Sequence, residues 1–241
     1  VELFERFRQS EEPAQWEAVS HPHNQHLLVN AGPGAGKTFV LVGRIVHLIR
    51  VQHIQPSQIL VLAFNRAVVF EIRRRIRELF KSLGYAAYAS RLRVSTIHSF
   101  ALGHLGRAGL RDPDADMEDA LAEFARRMES DQGFRRTVAG DVSCILVDEF
   151  QDVTEQIYTI LRNLHLGSDA RAGLMVIGDD DQDILRWNRP EGEFSEKYFD
   201  RFVDDFGGES LKQLLLAVNV RSVGDVVSRS QKMISGFFAE N

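Results

Sequence analysis

The stretch that decides the fold reads Leu28-Val29-Asn30-Ala31-Gly32-Pro33-Gly34-Ala35-Gly36-Lys37-Thr38. An apolar run leads into a small-residue loop, and an apolar-periodic segment from Phe39 to Ile49 follows. This order predicts a strand, a phosphate-binding loop and a helix. Glycines let backbone N–H groups approach phosphate oxygens without a Cβ in the way. The start of the helix also favours an anion, through its dipole and its free N–H groups.

The loop matches the pattern G-x-x-x-x-G-K-[ST], which gives its residues separate functions. Lys37 is expected to reach the β- and γ-phosphates of ATP, and the Thr38 hydroxyl is expected to hold Mg²⁺. The first position is Ala31, a small substitute for the usual glycine. The backbone around the phosphates would come from Gly32, Gly34, Ala35 and Gly36. The alternative is a glycine-rich turn followed by a chance Lys-Thr pair.

The composition excludes several classes of protein. The chain has 241 residues, of which 44% are hydrophobic and 26% charged, as is typical of a globular α/β protein. A single cysteine, Cys144, excludes an internal disulfide framework and fits a reducing, cytoplasmic location. We find no 18-residue apolar run and no signal peptide, and therefore expect no membrane partner. The net charge of −5 argues against a generic nucleic-acid binder, although a local basic strip can still bind phosphates.

Apolar runs alternate with helix-like segments along the rest of the chain. The runs that read as further strands are 58–64, 92–96, 143–147, 173–178 and 211–217. Such alternation predicts an α/β fold with a mostly parallel sheet and helices on both faces. In that architecture the functional residues lie at the carboxyl ends of the strands. Residues 106–141 are charged and Asp-rich, and we expect a helix at about 117–128.

Acidic residues follow the strand at 143–147. Asp148 is expected to hold the Mg²⁺ that Thr38 also binds, and Glu149 to orient or deprotonate the water that attacks the γ-phosphate. A surface acidic pair is the alternative. Gln182 is a candidate sensor of the γ-phosphate, and Arg221 is a candidate for stabilising charge in the transition state.

Two further features depend on context. The amide of Gln15 both donates and accepts, so it could read an adenine edge, but taken alone it is a surface glutamine. A helix after the strand at 58–64 carries the arginine cluster Arg73, Arg74, Arg75 and Arg77. Such a cluster is either a solvated helix face or a strip that contacts phosphates.

Five segments resemble, in order and wording, the UvrD/Rep/PcrA family of superfamily 1 DNA helicases. They are 31–38, 96–99, 147–152, 178–182 and 219–222. The resemblance runs from about residue 11 to the C-terminus, except for roughly 105–140. It implies a RecA-like P-loop NTPase that couples Mg-ATP hydrolysis to 3′–5′ translocation on single-stranded DNA.

The resemblance also implies residue functions. Gln15 looks like the adenine-reading glutamine, and Gln151 and Gln182 look like the residues that couple the γ-phosphate to DNA. Arg221 looks like the γ-phosphate arginine, and Glu149 like the catalytic base. The positions where the family contacts single-stranded DNA are Phe64, Asn65, Thr96, His98 and Trp187. For Phe64 and Trp187 the alternative is core packing, and for His98 it is helix capping.

The chain also departs from the family pattern. Phe39 and Val220 replace the arginine and tyrosine that usually sandwich adenine, although Phe39 could still stack on the base. Residues 185–189 differ from the usual Tyr-Gly-Trp-Arg-Gly, which puts part of the DNA path in doubt. The stretch between Ser99 and Asp148 is shorter than in the family, so we expect the inserted DNA-binding subdomain to be absent or reduced.

These observations give the following expectations. Residues 1–218 form a RecA-like ATP-binding domain with a short helical insertion at about 105–140. Residues 219–241 hold the late arginine motif and a terminal helix, and the second RecA-like domain is absent. Such a chain would bind ATP but hydrolyse it slowly. Two rival hypotheses stay open, namely a nucleotide-switched binding module and a P-loop NTPase that does not act on nucleic acid.

Overall fold

The computed structural model describes residues 4–5, 13–82, 84–169, 171–179, 195–208 and 211–217. Within them, six strands form one parallel sheet in the order β3-β2-β4-β5-β1-β6. The strands are β1 (His26–Ala31), β2 (Ile59–Ala63), β3 (Arg93–Thr96), β4 (Cys144–Val147), β5 (Gly173–Gly178) and β6 (Leu211–Leu216). The predicted α/β fold with a parallel sheet is confirmed.

Nine helices surround this sheet in the described part of the chain. They are α1 (Pro13–Ser20), α2 (Lys37–Arg50), α3 (Arg66–Ser82), α4 (Ala86–Arg91), α5 (Ile97–Arg107), α6 (Met117–Ser130), α7 (Gln132–Ala139), α8 (Glu155–Gly167) and α9 (Ser195–Phe206). Short 3₁₀ turns cover Pro56–Gln58 and Phe150–Asp152. None of the described helices is both long and apolar enough to cross a membrane.

The burial of the strands explains why three of them read as unbroken apolar runs. Every residue of β2, β4 and β5 is buried, because helices cover both faces of the sheet around them. Neighbouring strands keep a regular parallel register, in which Leu28 lies opposite Val176 and Leu146 opposite Met175. The outer strand β6 is largely exposed, as its position at the end of the sheet requires.

Side chains alternate along the strands between two hydrophobic clusters, one on each face of the sheet. The first cluster joins the sheet to α1, α2 and α3 through residues such as Leu41, Ile45 and Ile72. The second joins it to α5, α6, α8 and α9, and includes Phe124 and Phe202. The carboxyl ends of all strands therefore open at one edge of a sheet that is packed on both sides.

The charged segment 106–141 contains two helices, α6 and α7, which pack on α8. Leu121, Phe124 and Met128 of α6 are fully or almost fully buried in the second cluster. On α7, Arg135 Nη1 donates to Asn163 Oδ1 of α8 at 2.6 Å. The segment is thus part of the domain core on that face.

Candidate functional site

The phosphate loop connects β1 to α2 and turns through two glycines with left-handed backbone angles. Gly34 has φ 77° and Gly36, which precedes the helix, has φ 87°. Other residues rarely adopt these angles, so both positions require glycine. The Ala35 N–H donates to the Gly32 carbonyl at 3.1 Å, and the Gly32 N–H donates to the Leu216 carbonyl at 3.3 Å. The loop is therefore closed on itself and anchored to β6.

Lys37 and Glu149 face each other across the ends of β1 and β4. Lys37 Nζ lies 3.9 Å from Glu149 Oε2, and it donates to the Ala31 carbonyl at 3.3 Å. The two side chains are 14% and 27% exposed, so both remain accessible to a ligand. The structure thus brings together the predicted phosphate-binding lysine and the predicted catalytic carboxylate.

Asp148 is nearly inaccessible, with 1% of its surface exposed. Burial, and then the neighbouring Glu149 carboxylate, raise the pKa of Asp148 to about 7. Ionising a buried carboxyl group without a partner is costly, and a bound cation would stabilise its ionised form. No group of three or more His, Cys, Asp or Glu side chains in the described ranges could hold a metal. Mg²⁺ does not require such a group of side chains, since it commonly binds one or two carboxylates together with phosphates and waters.

Glu149 has φ 54° and ψ 50°, which is the left-handed region that non-glycine residues seldom occupy. Such strain is often found at functional sites, where the surrounding structure holds the residue in place. Gln151 contributes to this support, because its Nε2 donates to Glu149 Oε2 at 2.7 Å.

Gln151 also reaches the end of the adjacent strand. Its Oε1 accepts a hydrogen bond from the Asp179 N–H at 3.0 Å, directly after β5. A Cβ on Gly178 would lie 2.7 Å from this Oε1 and 2.9 Å from the Phe150 nitrogen, so only glycine fits there. One buried amide therefore links the carboxylate beside Lys37 to the end of β5.

Gln15 is buried, with 2% of its surface exposed, so the alternative of a surface glutamine is wrong. Its Nε2 donates to the Ala35 carbonyl in the phosphate loop at 3.0 Å. The side chain comes from α1, which packs closely on α2. Gln15 thus lies against the phosphate loop, and its contact with adenine stays a prediction.

Arg44 of α2 is a buried residue whose function the sequence interpretation missed. It is 1% exposed, and its guanidinium donates to the carbonyls of Val19 at 3.2 Å, Pro22 at 3.0 Å and His21. These carbonyls lie at and just beyond the C-terminal end of α1, so Arg44 fixes the helix that carries Gln15. The sequence did carry a signal, because Arg44 stands among apolar residues in the middle of α2. An arginine that is buried in such a helix almost always has partners.

Two of the predicted DNA contacts follow β2. Phe64 is half-buried and packs on the second cluster, so part of its ring is in the core and part is accessible. Asn65 is exposed, and its Oδ1 accepts a hydrogen bond from the Val68 N–H at 2.8 Å, within the first turn of α3.

The other two described positions lie at the end of β3 and the start of α5. Thr96 is the N-cap of α5, with its Oγ1 accepting from the Ser99 N–H at 3.1 Å. The alternative in which His98 caps this helix is therefore wrong. His98 Nε2 instead lies 3.1 Å from Glu118 Oε1 on α6, and its side chain is 21% exposed.

The arginine cluster of α3 divides into two parts. Arg74 pairs with Glu71 at 2.8 Å and with Glu78 at 3.1 Å, and Arg75 pairs with Glu71 at 2.5 Å. These two arginines match the solvated-face interpretation. Arg73 differs, because its Nη2 donates to the Val94 carbonyl of β3 at 2.5 Å.

Several predicted residues lie outside the described ranges. They are Gln182, Trp187 and Arg221, together with Val220 and residues 185–189. Phe39 is described, is half-buried, and packs on the first cluster beside the phosphate loop. The structure thus groups Gln15, Lys37 and Glu149 at one end of the sheet, and Phe64 and His98 beside the ends of β2 and β3.

The chain is similar to a known protein family over most of its length. The family described as UvrD/REP helicase N-terminal domain matches residues 11–114 and 108–198. DNA helicase II of Escherichia coli is 27% identical over 301 residues, covering 91% of this chain and 39% of that protein. This alignment is longer than the chain itself, so the relative has internal residues that this chain lacks.

Two other relatives match shorter parts. An ATP-dependent helicase/nuclease subunit of Heliobacterium modesticaldum is 29% identical over 155 residues, covering 60% of this chain and 10% of that protein. The ATP-dependent DNA helicase SRS2 of Saccharomyces cerevisiae is 37% identical over 92 residues, covering 38% of this chain and 8% of that protein. The chain thus spans 39% or less of the length of these curated relatives.

Proposed function

The chain belongs to the UvrD/REP helicase N-terminal domain family, and on that premise we propose that it binds Mg-ATP as the nucleotide-binding part of a DNA helicase. One observation carries the proposal. Lys37 Nζ lies 3.9 Å from Glu149 Oε2, at the mouth of a loop in which two left-handed glycines open the backbone to phosphate oxygens.

In this proposal, the loop backbone and Lys37 hold the β- and γ-phosphates, which neutralises the charge that develops during phosphoryl transfer. Thr38 and Asp148 would hold Mg²⁺, which when bound shields the phosphate oxygens from the approaching nucleophile. Glu149 positions a water for attack on the γ-phosphate and accepts its proton. Gln182 and Arg221 are proposed to contact the γ-phosphate.

The base end of the nucleotide would lie beside α1. Gln15 offers an amide there, and its bond to the Ala35 carbonyl fixes it against the loop. Phe39, in the first turn of α2, offers a ring for stacking in place of the usual arginine. We propose these two residues as the adenine contacts.

Single-stranded DNA is proposed to cross the ends of β2 and β3. Phe64 and Trp187 would stack on bases, a contact worth about 1–3 kcal/mol per base and tolerant of sequence. Asn65, Thr96 and His98 would contact the same strand. Gln151 would transmit the state of the nucleotide, because it joins Glu149 to the end of β5.

Translocation in the 3′–5′ direction is proposed for the whole protein, in which a second RecA-like domain would complete the cleft. The relatives named above are ATP-dependent or DNA helicases by name, which supports this proposal. DNA helicase II has internal residues that this chain lacks, and we propose that some of them form an insertion that is reduced here between Ser99 and Asp148.

Single-turnover hydrolysis of Mg-ATP tests the proposal, with the chain in excess over nucleotide and with or without poly-dT. Glu149→Gln should keep ATP binding but lower the rate of cleavage by about 10²- to 10⁴-fold, because the general base is lost. Glu129→Gln is the matched control, since Glu129 is exposed on α6.

The outcomes separate the rivals. Cleavage that rises with poly-dT and disappears in the Glu149 variant supports the helicase domain. Cleavage that ignores poly-dT indicates an NTPase that does not act on nucleic acid. Tight ATP binding with neither cleavage nor any response to poly-dT indicates a nucleotide-switched module.

A further inference from the structure

A cavity of about 220 Å³ lies along the open edge of the sheet beside β3. Among the described strands β3 pairs only with β2, so its other edge faces outward. Helix α3 supplies one wall of the cavity and α5 supplies the other. The cavity is distinct from the phosphate loop, which lies at the opposite half of the sheet between β1 and α2.

Three arginines from three different elements line this cavity. They are Arg73 of α3, Arg93 of β3 and Arg107 of α5. None of the described residues that line it is acidic. Arg73 is fixed in place, because its Nη2 donates to the Val94 carbonyl on the edge of the strand.

The positive charge of this cavity is poorly compensated. The nearest carboxylate oxygen to Arg93 belongs to Asp141, at 4.0 Å, and the Asp141 side chain is 67% exposed. The Arg107 side chain forms no hydrogen bond or ion pair with any residue that the structure describes. Its Nη1 lies over Gly103, 3.6 Å from the place where a Cβ would stand.

His104 of α5 also lines this cavity. Its pKa is lowered to about 4, first by burial and then by Arg107 and Arg93. An imidazole that lines the same cavity therefore stays neutral at pH 7, while the guanidiniums keep their charge. An anion that entered would meet three guanidiniums, and no carboxylate among the residues that line the cavity.

We propose that this cavity binds a phosphate group, supplied by the backbone of a nucleic-acid strand. Guanidinium groups bind phosphate oxygens through charge-assisted hydrogen bonds. The Ser99 hydroxyl, which accepts from Thr96 Oγ1, is a further donor in the lining of the cavity.

The position of the cavity favours nucleic acid as the source of the phosphate. Thr96 Oγ1 donates to Ser99 Oγ at 2.8 Å, so the rim of the cavity adjoins the predicted DNA contacts Thr96 and His98. The assignment rests on the proposed function, and it extends the path of the strand from the ends of β2 and β3 along the outer side of β3.

A second explanation requires no ligand. Charged side chains on an edge strand prevent it from pairing with another chain, so the arginines could serve only to protect β3. This explanation predicts that each arginine matters for solubility and none matters for binding.

The test compares Arg107→Gln with Arg136→Gln, which removes the same charge from an exposed position on α7. Binding of a fluorescein-labelled dT oligonucleotide to the 241-residue chain is measured by anisotropy over a series of NaCl concentrations. The Arg107 variant should bind about tenfold more weakly, since a hydrogen bond to a charged group is lost. The slope of log K against log salt concentration should be shallower by about 0.7 in this variant. The Arg136 variant should match the wild type.

Equal affinity and salt dependence in the two variants would overturn the proposal in favour of edge protection. A second arm titrates inorganic phosphate and follows the His104 ring by NMR. Suppose that phosphate shifts the His104 resonances, that Arg107→Gln removes this shift, and that oligonucleotide binding is unaltered in the variant. This result would assign the cavity to free phosphate and overturn the nucleic-acid source. A wild type that binds no oligonucleotide but gives this shift would contradict the proposed DNA function and leave the phosphate site standing.

Discussion

The phosphate loop and the β3 edge are both proposed to bind phosphate, but they are built differently. The loop uses consecutive residues and the backbone N–H groups of a turn whose shape two glycines set. The β3 edge uses three side chains that the fold collects from α3, β3 and α5. A site made from one segment can be recognised in the sequence as a motif. A site made from three elements can be recognised only in the folded structure.

The two sites also differ in what holds them. The loop is supported by buried contacts from α1, α2 and β6, so its geometry depends on the core. At the β3 edge, Arg73 is held by the Val94 carbonyl, whereas the Arg107 side chain has no hydrogen bond or ion pair among the described residues, so we expect its effect to be mainly electrostatic. Changes at the loop should therefore cause large losses, and changes at the edge should cause small and salt-dependent ones.

The largest effect is expected for Lys37→Met. It removes the side-chain cation that lies 3.9 Å from Glu149 and that is proposed to contact the phosphates of ATP. Loss of such a preorganised charge should lower the rate of ATP cleavage by about 10²- to 10³-fold. Single-turnover assays measure it, with Lys81→Met as the control, since Lys81 is exposed at the end of α3. A Lys37 variant that cleaves ATP like the control would show that the loop is not the nucleotide site.

A smaller but structural effect is expected for Arg44→Met. The substitution keeps an apolar chain of similar length but leaves buried carbonyls after α1 without their donor. The free energy of unfolding should fall by about 3 kcal/mol, as measured by urea denaturation.

Nucleotide affinity should also fall in this variant, because Gln15 is carried by α1. The matched substitution Arg136→Met on α7 should change stability by less than about 0.5 kcal/mol. If both variants unfold at the same urea concentration, Arg44 does not fix α1.

The smallest effect concerns the pH dependence at the β3 edge. His104 has a folded-state pKa of about 4 against 6.5 when free, so between these values the unfolded chain binds more protons. Stability therefore falls as the pH decreases from 6.5 towards 4. His26, with a pKa also lowered to about 4 by burial, contributes in the same direction.

His104→Asn should remove one of these contributions. Between pH 7 and pH 5 the variant should lose about 1 kcal/mol less stability than the wild type, a value reduced for the partial exposure of the ring. Urea denaturation at the two pH values measures the difference. His53→Asn is the control, because His53 is exposed and has φ 57°, an angle that asparagine tolerates. Parallel pH profiles for wild type and His104→Asn would contradict this expectation.

The sequence was sufficient to predict the parallel sheet, since β2, β4 and β5 are buried on both faces and so read as apolar runs. It also predicted the phosphate loop, which is local. The binding partners of Arg44 lie 22 to 25 residues earlier in the chain, and no local pattern specifies them. Similarly, Gln15 taken alone read as a surface residue, because its contact in the loop is formed only when α1 packs on α2.

The contacts of His98 were equally inaccessible to sequence reasoning. Its partner Glu118 lies on α6, in a segment that the family resemblance did not cover. That segment read as charged with one helix at about 117–128, but its core contribution was not predicted, although Leu121, Phe124 and Met128 recur at helical spacing and fill the core. The many charged residues on the exposed face of α6 dominate the composition of the segment, so the apolar face was not recognised.

The proposed function requires the nucleotide site and the DNA contacts to act as one unit, and Gln151 supports this coupling by linking Glu149 to the end of β5. The most direct measurement is the Kd of a labelled dT oligonucleotide with and without Mg²⁺ and a non-hydrolysable ATP analogue. We predict that the nucleotide changes this Kd by about fivefold or more, and that DNA changes the Kd of the nucleotide by the same factor. A Kd for DNA that stays the same when the nucleotide site is saturated would contradict this coupling between nucleotide and DNA binding.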